Sequence, residues 1–215
     1  MDEIYRICAE CRLLVNCHGA GKPTGERRTY PHVINREAVR GEEFYLKHFV
    51  NESVIWAFTR NVVGPMDITP RVYPYGSDNT FAMQLASCVI LEAGTPCMAG
   101  TSLQYRNFNA ASFYQNLPAA WDDTVFLNGN VGDFVTIARR SGEDWYAASV
   151  TENAKPGMKM PLSFLGDGAY EAVIYSDKTP TRLNITSQTV YADDELSYDM
   201  LKNGGYVVKF TKKSS

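Results

Sequence analysis

The sequence predicts an α/β segment over residues 1–118 followed by an antiparallel β-sandwich domain over residues 119–215. Three observations carry this. Up to about residue 118, short apolar runs, glycine-bearing loops and helical periods follow in the order β-loop-β-α-β-loop-α, with strands apolar enough to be buried in a parallel sheet. Beyond Leu117-Pro118, strand-like runs recur between the turn signals SGED, GDG and NGG. The 215 residues are 45% apolar and 21% charged, an ordinary balance in a chain long enough to bury a sizeable core.

Residues 2–12 read as a helix whose apolar stripe is Ile4, Ile7, Cys8 and Cys11. Leu13–Cys17 follows as a buried strand. Residues 19–31 hold three glycines and two prolines, too many for a regular element. Val33–Asn35 is a minimal second strand. Glu37–Phe49 has helical character, weakened by Gly41. Val54–Phe58 is rich in β-branched and aromatic residues and predicts a third strand, followed by the loop TRNVVGPMDITP. Asn79–Ala93 predicts a helix capped by Asn79, with Phe81, Leu85, Cys88 and Val89 on one face and Gly94 as its stop. Residues 102–116 predict an aromatic helical stretch. The second half predicts strands at Thr124–Leu127, Phe134–Arg139, Trp145–Val150, Lys159–Phe164, Tyr170–Tyr175, Arg182–Thr186 and Tyr206–Phe210, arranged as a sandwich or open barrel.

A formal net charge of −3 and a pI near 5.7 give no reason to expect a nucleic-acid partner, whose phosphates call for a basic surface. No apolar run reaches the length of a membrane span, and the amphipathic, acidic start MDEIYRICAECR is not a signal peptide. Five cysteines, an odd number, argue against a complete disulfide framework. Cys8 and Cys11 form a CxxC followed by Cys17-His18, so a zinc site must be weighed. Zinc ribbons carry two such knuckles, however, and Cys88 and Cys97 lie far away in apolar context. Buried free thiols are the expectation.

Most of the chemistry is concentrated between Leu13 and Phe44. His18 ends the first strand where the chain turns polar; Lys22, Arg27, Arg28 and Tyr30 follow, then Glu37, Glu42 and Glu43. In parallel sheets functional groups gather beyond the carboxyl ends of the strands, which places the candidate site here. Each residue also has a plain structural reading. Acids in a helix's first turn favour its dipole, a strand-end histidine often serves only a hydrogen bond, and the cations fit a solvated loop. Asp67 can cap a turn. Trp121 and Trp145 fit the aromatic core of a β-domain better than a sugar-stacking platform.

Taken together, HGAGKPTGERRTYPHVINREAVRGEE, WAFTRNVVGPMDITP and WDDTVFLNGNVGDFVTIARRSGEDWYAASVT resemble glycoside hydrolase family 97, the α-glucosidases and α-galactosidases. The likeness runs along nearly the whole chain. It implies that residues 1–118 are the last part of a (β/α)8 catalytic barrel, its last three strands beginning at Leu13, Val33 and Ile55. Residues 119–215 are then the C-terminal antiparallel domain linked to oligomerisation. Glycosidic cleavage uses a pair of carboxyl groups, one protonating the leaving oxygen. By the resemblance, Glu43 is that general acid, Glu37 and Glu43 bind calcium, and His18 contacts substrate. Calcium takes several oxygen ligands, so two glutamates are part of a shell. Inverting members carry glutamate directly after the histidine. Gly19 stands there instead, the pattern of the retaining α-galactosidases, whose carboxylate nucleophile lies on an earlier strand.

Two functions follow as expectations. The first is a fragment of a retaining α-galactosidase-like hydrolase acting on terminal α-linked sugars, with little turnover alone because the nucleophile strand is missing. The second is a non-catalytic carbohydrate-binding or oligomerisation module, whose open sheet edge pairs with a second copy or with a separate N-terminal portion. The resemblance also implies a periplasmic or extracellular setting, although this chain shows no export signal.

Overall fold

The computed structural model describes residues 1–44, 49–73 and 77–213. Helix α1 (Asp2–Glu10) leads into strand β1 (Val15–Cys17), and a short turn of helix, α2 (Glu26–Thr29), separates it from β2 (Val33–Arg36). β1 and β2 pair in parallel, Cys17 opposite Arg36. Arg36 in turn bridges in parallel to Met66, so the third parallel position lies in the GPMD segment. A further parallel bridge joins Arg71 to Ala99.

The expected strand at Val54–Phe58 is instead part of helix α3 (Phe49–Trp56). Its β-branched residues suggest a strand, but Phe49, Val50, Ser53 and Val54 are its buried residues, one face of a 3.6-residue period. The Ser53 hydroxyl donates to the Phe49 carbonyl, 2.9 Å away, one turn back. The expected helix over Glu37–Phe49 does not form in its described part. Ala38 takes a left-handed φ of 49°, and only a 3₁₀ turn forms at Glu42–Phe44 before residues 45–48, which lie outside the described residues. Ile55 therefore begins no strand.

The apolar stripe of α1 is also turned the other way. Tyr5 is buried, whereas Ile4 is 54% exposed, Ile7 48%, Leu13 56% and Leu14 70%. The Tyr5 hydroxyl accepts from the Arg36 guanidinium at 2.6 Å, anchoring α1 across β2. Cys8 is half-buried and Cys11 exposed, contrary to the expected burial, and all five cysteines are free thiols. No helix among the described residues is long and apolar enough to cross a membrane.

Helix α4 (Phe81–Ile90) is almost wholly buried, and its cap is Thr80 rather than Asn79: the Thr80 hydroxyl accepts from the Met83 N–H at 3.1 Å. Helices α5 (Ser102–Asn107) and α6 (Ala111–Gln115) follow, α5 opened by a Thr101–Gln104 capping box. The aromatic side chains of this stretch, Tyr105, Phe108, Phe113 and Tyr114, meet edge to face or tilted.

From Asp123 onward the chain is antiparallel β: β3 (Asp123–Asn130), β4 (Phe134–Ser141), β5 (Asp144–Thr151), β6 (Lys155–Pro161), β7 (Tyr170–Thr179), β8 (Arg182–Val190), β9 (Glu195–Met200) and β10 (Gly204–Lys212). Seven of these strands match expected runs; β9 does not. Its sequence, ELSYDM, does alternate, with Leu196, Tyr198 and Met200 buried. Six strands form one sheet in the order β3-β4-β5-β10-β7-β8, and β6 and β9 form a separate pair.

The central strands β4, β5 and β10 of the six-stranded sheet are buried on both faces, with side chains segregated by the two-residue strand period. Tyr146, Ala148, Val150 and Val207 face α3, α4 and the aromatic helices, in a core drawn from both sides of residue 118. Trp145, Ala147, Tyr206, Val208 and Phe210 face Met160, Leu196, Tyr198 and Met200 of the β6–β9 pair. Each such side chain contributes roughly 1.5–3 kcal/mol by leaving water, so α4 cannot detach from the sheet without exposing both partners. Gly205 lets α4 approach this closely: a Cβ there would lie 2.7 Å from the Ala82 carbonyl oxygen and from Met83 N and Cα.

Candidate functional site

Three neighbouring parallel positions deliver three polar side chains in register. Cys17 pairs with Arg36, and Arg36 with Met66. The next residues, His18, Glu37 and Asp67, therefore emerge side by side beyond the carboxyl ends of the strands. The Arg60 guanidinium locks this end of β2, donating to the carbonyls of Arg36 (3.0 Å), Pro65 (3.2 Å) and Gly64 (2.8 Å). Glu43 joins them from the turn after Gly41. A Cβ at Gly41 would lie 2.5 Å from Glu43 Oε2 and 2.7 Å from Thr69 Oγ1, so glycine leaves the space this carboxylate occupies.

The structure thus brings together all three residues singled out from the sequence. Ligand atoms of His18, Glu37 and Glu43 lie within 4.8 Å of one another. His18 Nδ1 is 3.8 Å from Glu37 Oε1, and Glu37 Oε2 accepts the Gly19 N–H at 2.6 Å. Glu43 Oε2 accepts a short hydrogen bond from the Thr69 hydroxyl. Glu42, one residue away, points inward and is not part of the site. Its carboxylate is buried against Gln84 Nε2 (3.1 Å), Asn79 Nδ2 (3.5 Å) and Arg71 Nε (3.6 Å), and burial pushes its pKa up to about 7. Lys22 is exposed on the loop, and Arg27 and Arg28 are exposed on the short helix α2, so all three are solvated as in their plain reading. Trp145 is core, against Phe164, and half-buried Trp121 packs on Tyr146.

The two site carboxyls are electrostatically unequal. Burial raises the Glu37 pKa, and the nearby Glu43 carboxylate raises it further. For Glu43, burial is outweighed by hydrogen bonds from Thr69 and Glu37, which hold it below its ordinary value. The two carboxyls are coupled, and Glu37 is the one that gives up its proton less readily. Two carboxylates that crowd together in this way have the donor chemistry to hold a divalent cation, which would compete with protons for them. Glu37 Oε1 and Glu43 Oε1 are the oxygens not engaged by Gly19 and Thr69. They fit two positions of an oxygen shell and leave the others to water or substrate hydroxyls.

Asp67 is the residue whose role the sequence left open. It is completely buried, and its Oδ2 accepts from Asn16 Nδ2 (2.8 Å), His18 Nε2 (2.9 Å) and the Cys97 N–H (2.8 Å), while Oδ1 accepts the Thr69 N–H (2.9 Å). Burial opposes its charge, but these bonds prevail and its pKa lies below the ordinary value. The one signal that could have marked it is its place in GPMD, directly after the third parallel position. Cys8 and Cys11 belong to neither group of three or more potential metal-ligating side chains found among the described residues, His18–Asp67–Cys97 and His18–Glu37–Glu43.

Comparison with known proteins agrees along the chain. Residues 1–39 match the family model "Glycoside hydrolase 97", and residues 120–211 match "Glycosyl-hydrolase 97 C-terminal, oligomerisation". A retaining alpha-galactosidase from Bacteroides thetaiotaomicron is 30% identical over 94% of this chain and 34% of its own length. A probable retaining alpha-galactosidase from Streptomyces bingchenggensis is 35% identical over 95% of this chain and 32% of its own. A solved family 97 enzyme from Pseudoalteromonas sp. strain K8, one of whose structures contains panose, superposes with a TM-score of 0.89 at 32% identity, covering 98% of this chain and 36% of that one. Two models of one family in one order, with relatives matched over nearly the whole chain, make this chain a member of glycoside hydrolase family 97 that spans about a third of the length of the relatives it matches.

Proposed function

We propose that this chain carries the acid/base wall of a retaining α-galactosidase-like hydrolase acting on terminal α-linked sugars. The observation that carries the reading is the convergence of Glu37, Glu43 and His18 within 4.8 Å at the ends of parallel strands. In this reading residues 1–118 are the last part of a (β/α)8 barrel. Glu43 protonates the departing glycosidic oxygen with a proton exchanged with Glu37, its hydrogen-bonded neighbour, and then, as a carboxylate, draws a proton from the water that releases the sugar from the nucleophile. Glu37 is the coupled carboxyl beside Glu43, and His18 hydrogen-bonds a sugar hydroxyl. Calcium, when bound by Glu37 and Glu43, supplies positive charge that orients substrate oxygens.

The nucleophile belongs to the portion of the relatives that this chain does not span. Gly19 stands beside His18, where the inverting pattern has a carboxylate, and this supports the retaining reading. The 215-residue chain alone is then expected to turn over little or no nitrophenyl α-galactoside. Robust turnover that Glu43→Gln abolishes would overturn the missing-nucleophile argument.

One observation favours a second reading, an oligomerisation module. Ile4, Ile7, Leu13 and Leu14, all in the first fourteen residues, are each exposed, and residues 120–211 match a model described as oligomerisation. Light scattering separates the two, since a clean monomer counts against assembly.

A further inference from the structure

We propose that Asp67 is the positioning residue of this site: it holds His18 as the Nε2–H imidazole and leaves the Nδ1 lone pair facing Glu37 and an incoming hydroxyl. This rests on the glycosidase reading only for the identity of that hydroxyl. The geometry starts from burial. Asp67 is 0% exposed, and four N–H groups converge on its two oxygens at 2.8–2.9 Å. An ionised carboxylate accepts and cannot donate, so the imidazole nitrogen facing it carries the hydrogen. Burial lowers the His18 pKa, but Asp67, Glu37 and Glu43 outweigh it and raise it; once the ring is neutral, above that pKa, the other nitrogen is an acceptor. That nitrogen, Nδ1, lies 3.8 Å from Glu37 Oε1. The separation is too long for a direct hydrogen bond and suits a hydroxyl that meets both atoms.

The same four bonds argue against Asp67 as a metal ligand. His18, Asp67 and Cys97 have ligand atoms within 4.8 Å of one another, but both oxygens of Asp67 are occupied by donors. The four donors come from β1 and its end (Asn16, His18), from the carboxylate's own loop (Thr69) and from the segment after α4 (Cys97). Asp67 therefore also fixes where the loop after α4 meets the site.

Nitrogen-15 NMR of the labelled chain at mildly alkaline pH tests this, with His18 assigned by the signals lost in His18→Gln. The expected wild-type signature is a protonated Nε2 coupled to a downfield, slowly exchanging proton, with Nδ1 unprotonated. Asp67→Ala is expected to lose that proton resonance, and Asp67→Asn, which retains a neutral acceptor, to keep it shifted upfield. If Asp67→Ala fails to fold, Asp67→Asn carries the test. Asn16→Ala, which removes a different donor from the same carboxylate, should leave the resonance in place. A neutral ring protonated on Nδ1 and not on Nε2, or a resonance unchanged in Asp67→Asn, would overturn the positioning role. Addition of methyl α-galactoside tests the other reading separately: no response of the His18 nitrogens, with the wild-type signature intact, sinks the galactosidase reading and leaves the positioning role standing.

Discussion

The backbone N–H of Gly19 donates to Glu37 Oε2 across 2.6 Å, from a left-handed backbone with φ +61°. A Cβ added at Gly19 would meet nothing within 4 Å, so a substitution is limited by backbone strain rather than by space. Gly19→Ala is expected to cost about 1–2 kcal/mol on that account. Gly19→Glu adds a third carboxylate beside Glu37 and restores the residue of the inverting pattern. Calorimetric titration with calcium should show tighter binding than wild type. Equal affinity in the two proteins would count against calcium at this position.

Glu37 and Glu43 give a companion prediction. With two carboxylates and an otherwise open shell, calcium should bind the chain weakly, with a Kd of about 10⁻⁴–10⁻³ M. Glu37→Gln should abolish that binding. Because burial and the Glu43 charge raise the Glu37 pKa, its proton must leave before the metal enters. Affinity should therefore rise with pH through the mildly acidic range, and protons should be released on binding. Gly41→Ala tests the geometry without changing a ligand: its Cβ meets the end of the Glu43 side chain and the Thr69 hydroxyl, with the Ile68 carbonyl 3.1 Å away. Calcium affinity should fall several-fold while unfolding free energy changes by about 1 kcal/mol or less.

How far the sequence reached is clearest at these residues. His18 and Glu37 were legible because each directly follows a short apolar strand, and their neighbours carry the family's motif. Glu43 was legible only through the resemblance, since the helix expected to present it is not formed. Asp67 was hidden because the third parallel position, Met66, is a single bridge without the apolar run that advertises a strand. The segment that does advertise one, SVIWAF, lies largely in a helix whose buried face follows a 3.6-residue period. In the second half, turn chemistry and alternation located seven strands; β9 carries the same alternation in Leu196, Tyr198 and Met200 and was legible on the same ground, but is missing from the expected runs.

Asp177 gives a pH prediction. From β7 it accepts the Thr80 hydroxyl at 2.5 Å, the Ala82 N–H at 3.0 Å and the Gly205 N–H at 3.4 Å, tying α4 and β10 together. Burial pushes its pKa up to about 6 from an ordinary 3.8, against these bonds. Between those values the folded protein binds more protons than the unfolded chain. This group's contribution therefore falls as pH rises through that window, by about 3 kcal/mol in all. Asp177→Asn removes the titration. Urea unfolding at either end of the window should show wild type losing stability with rising pH relative to the variant; parallel profiles would refute the assignment.

The contact between α4 and the sheet should be intolerant of added volume. At Gly205 the obstacles are the Ala82 carbonyl and the Met83 backbone, which cannot rotate away. Gly205→Ala should destabilise by about 1–3 kcal/mol or more through overpacking. At the other end of α4, Arg139 of β4 donates to the carbonyls of Val89 (2.7 Å) and Ile90 (3.2 Å). Arg139→Met keeps much of the stem and removes those bonds, leaving helix-end carbonyls without their charged donor. A loss of about 2 kcal/mol in denaturant unfolding is expected. A neutral result would show that water serves these carbonyls equally well.

The exposed face of α1 predicts self-association of the isolated chain. Ile4 and Ile7 lie on one side of that helix, and Leu13 and Leu14, just before β1, are exposed as well. Exposed apolar side chains in this number favour burial against a partner. Light scattering should give a mass above the 24.0 kDa of one chain. The double variant Ile4→Glu, Ile7→Glu places two carboxylates on that face and should return the mass to a monomer's if α1 is the contact. An assembly that persists unchanged in the double variant would move the contact to residues 120–211, where the family model describes oligomerisation. Because α1 packs through Tyr5 and not through either isoleucine, the variant should leave the fold and the Tyr5–Arg36 bond intact, so a change in mass reports on the surface alone.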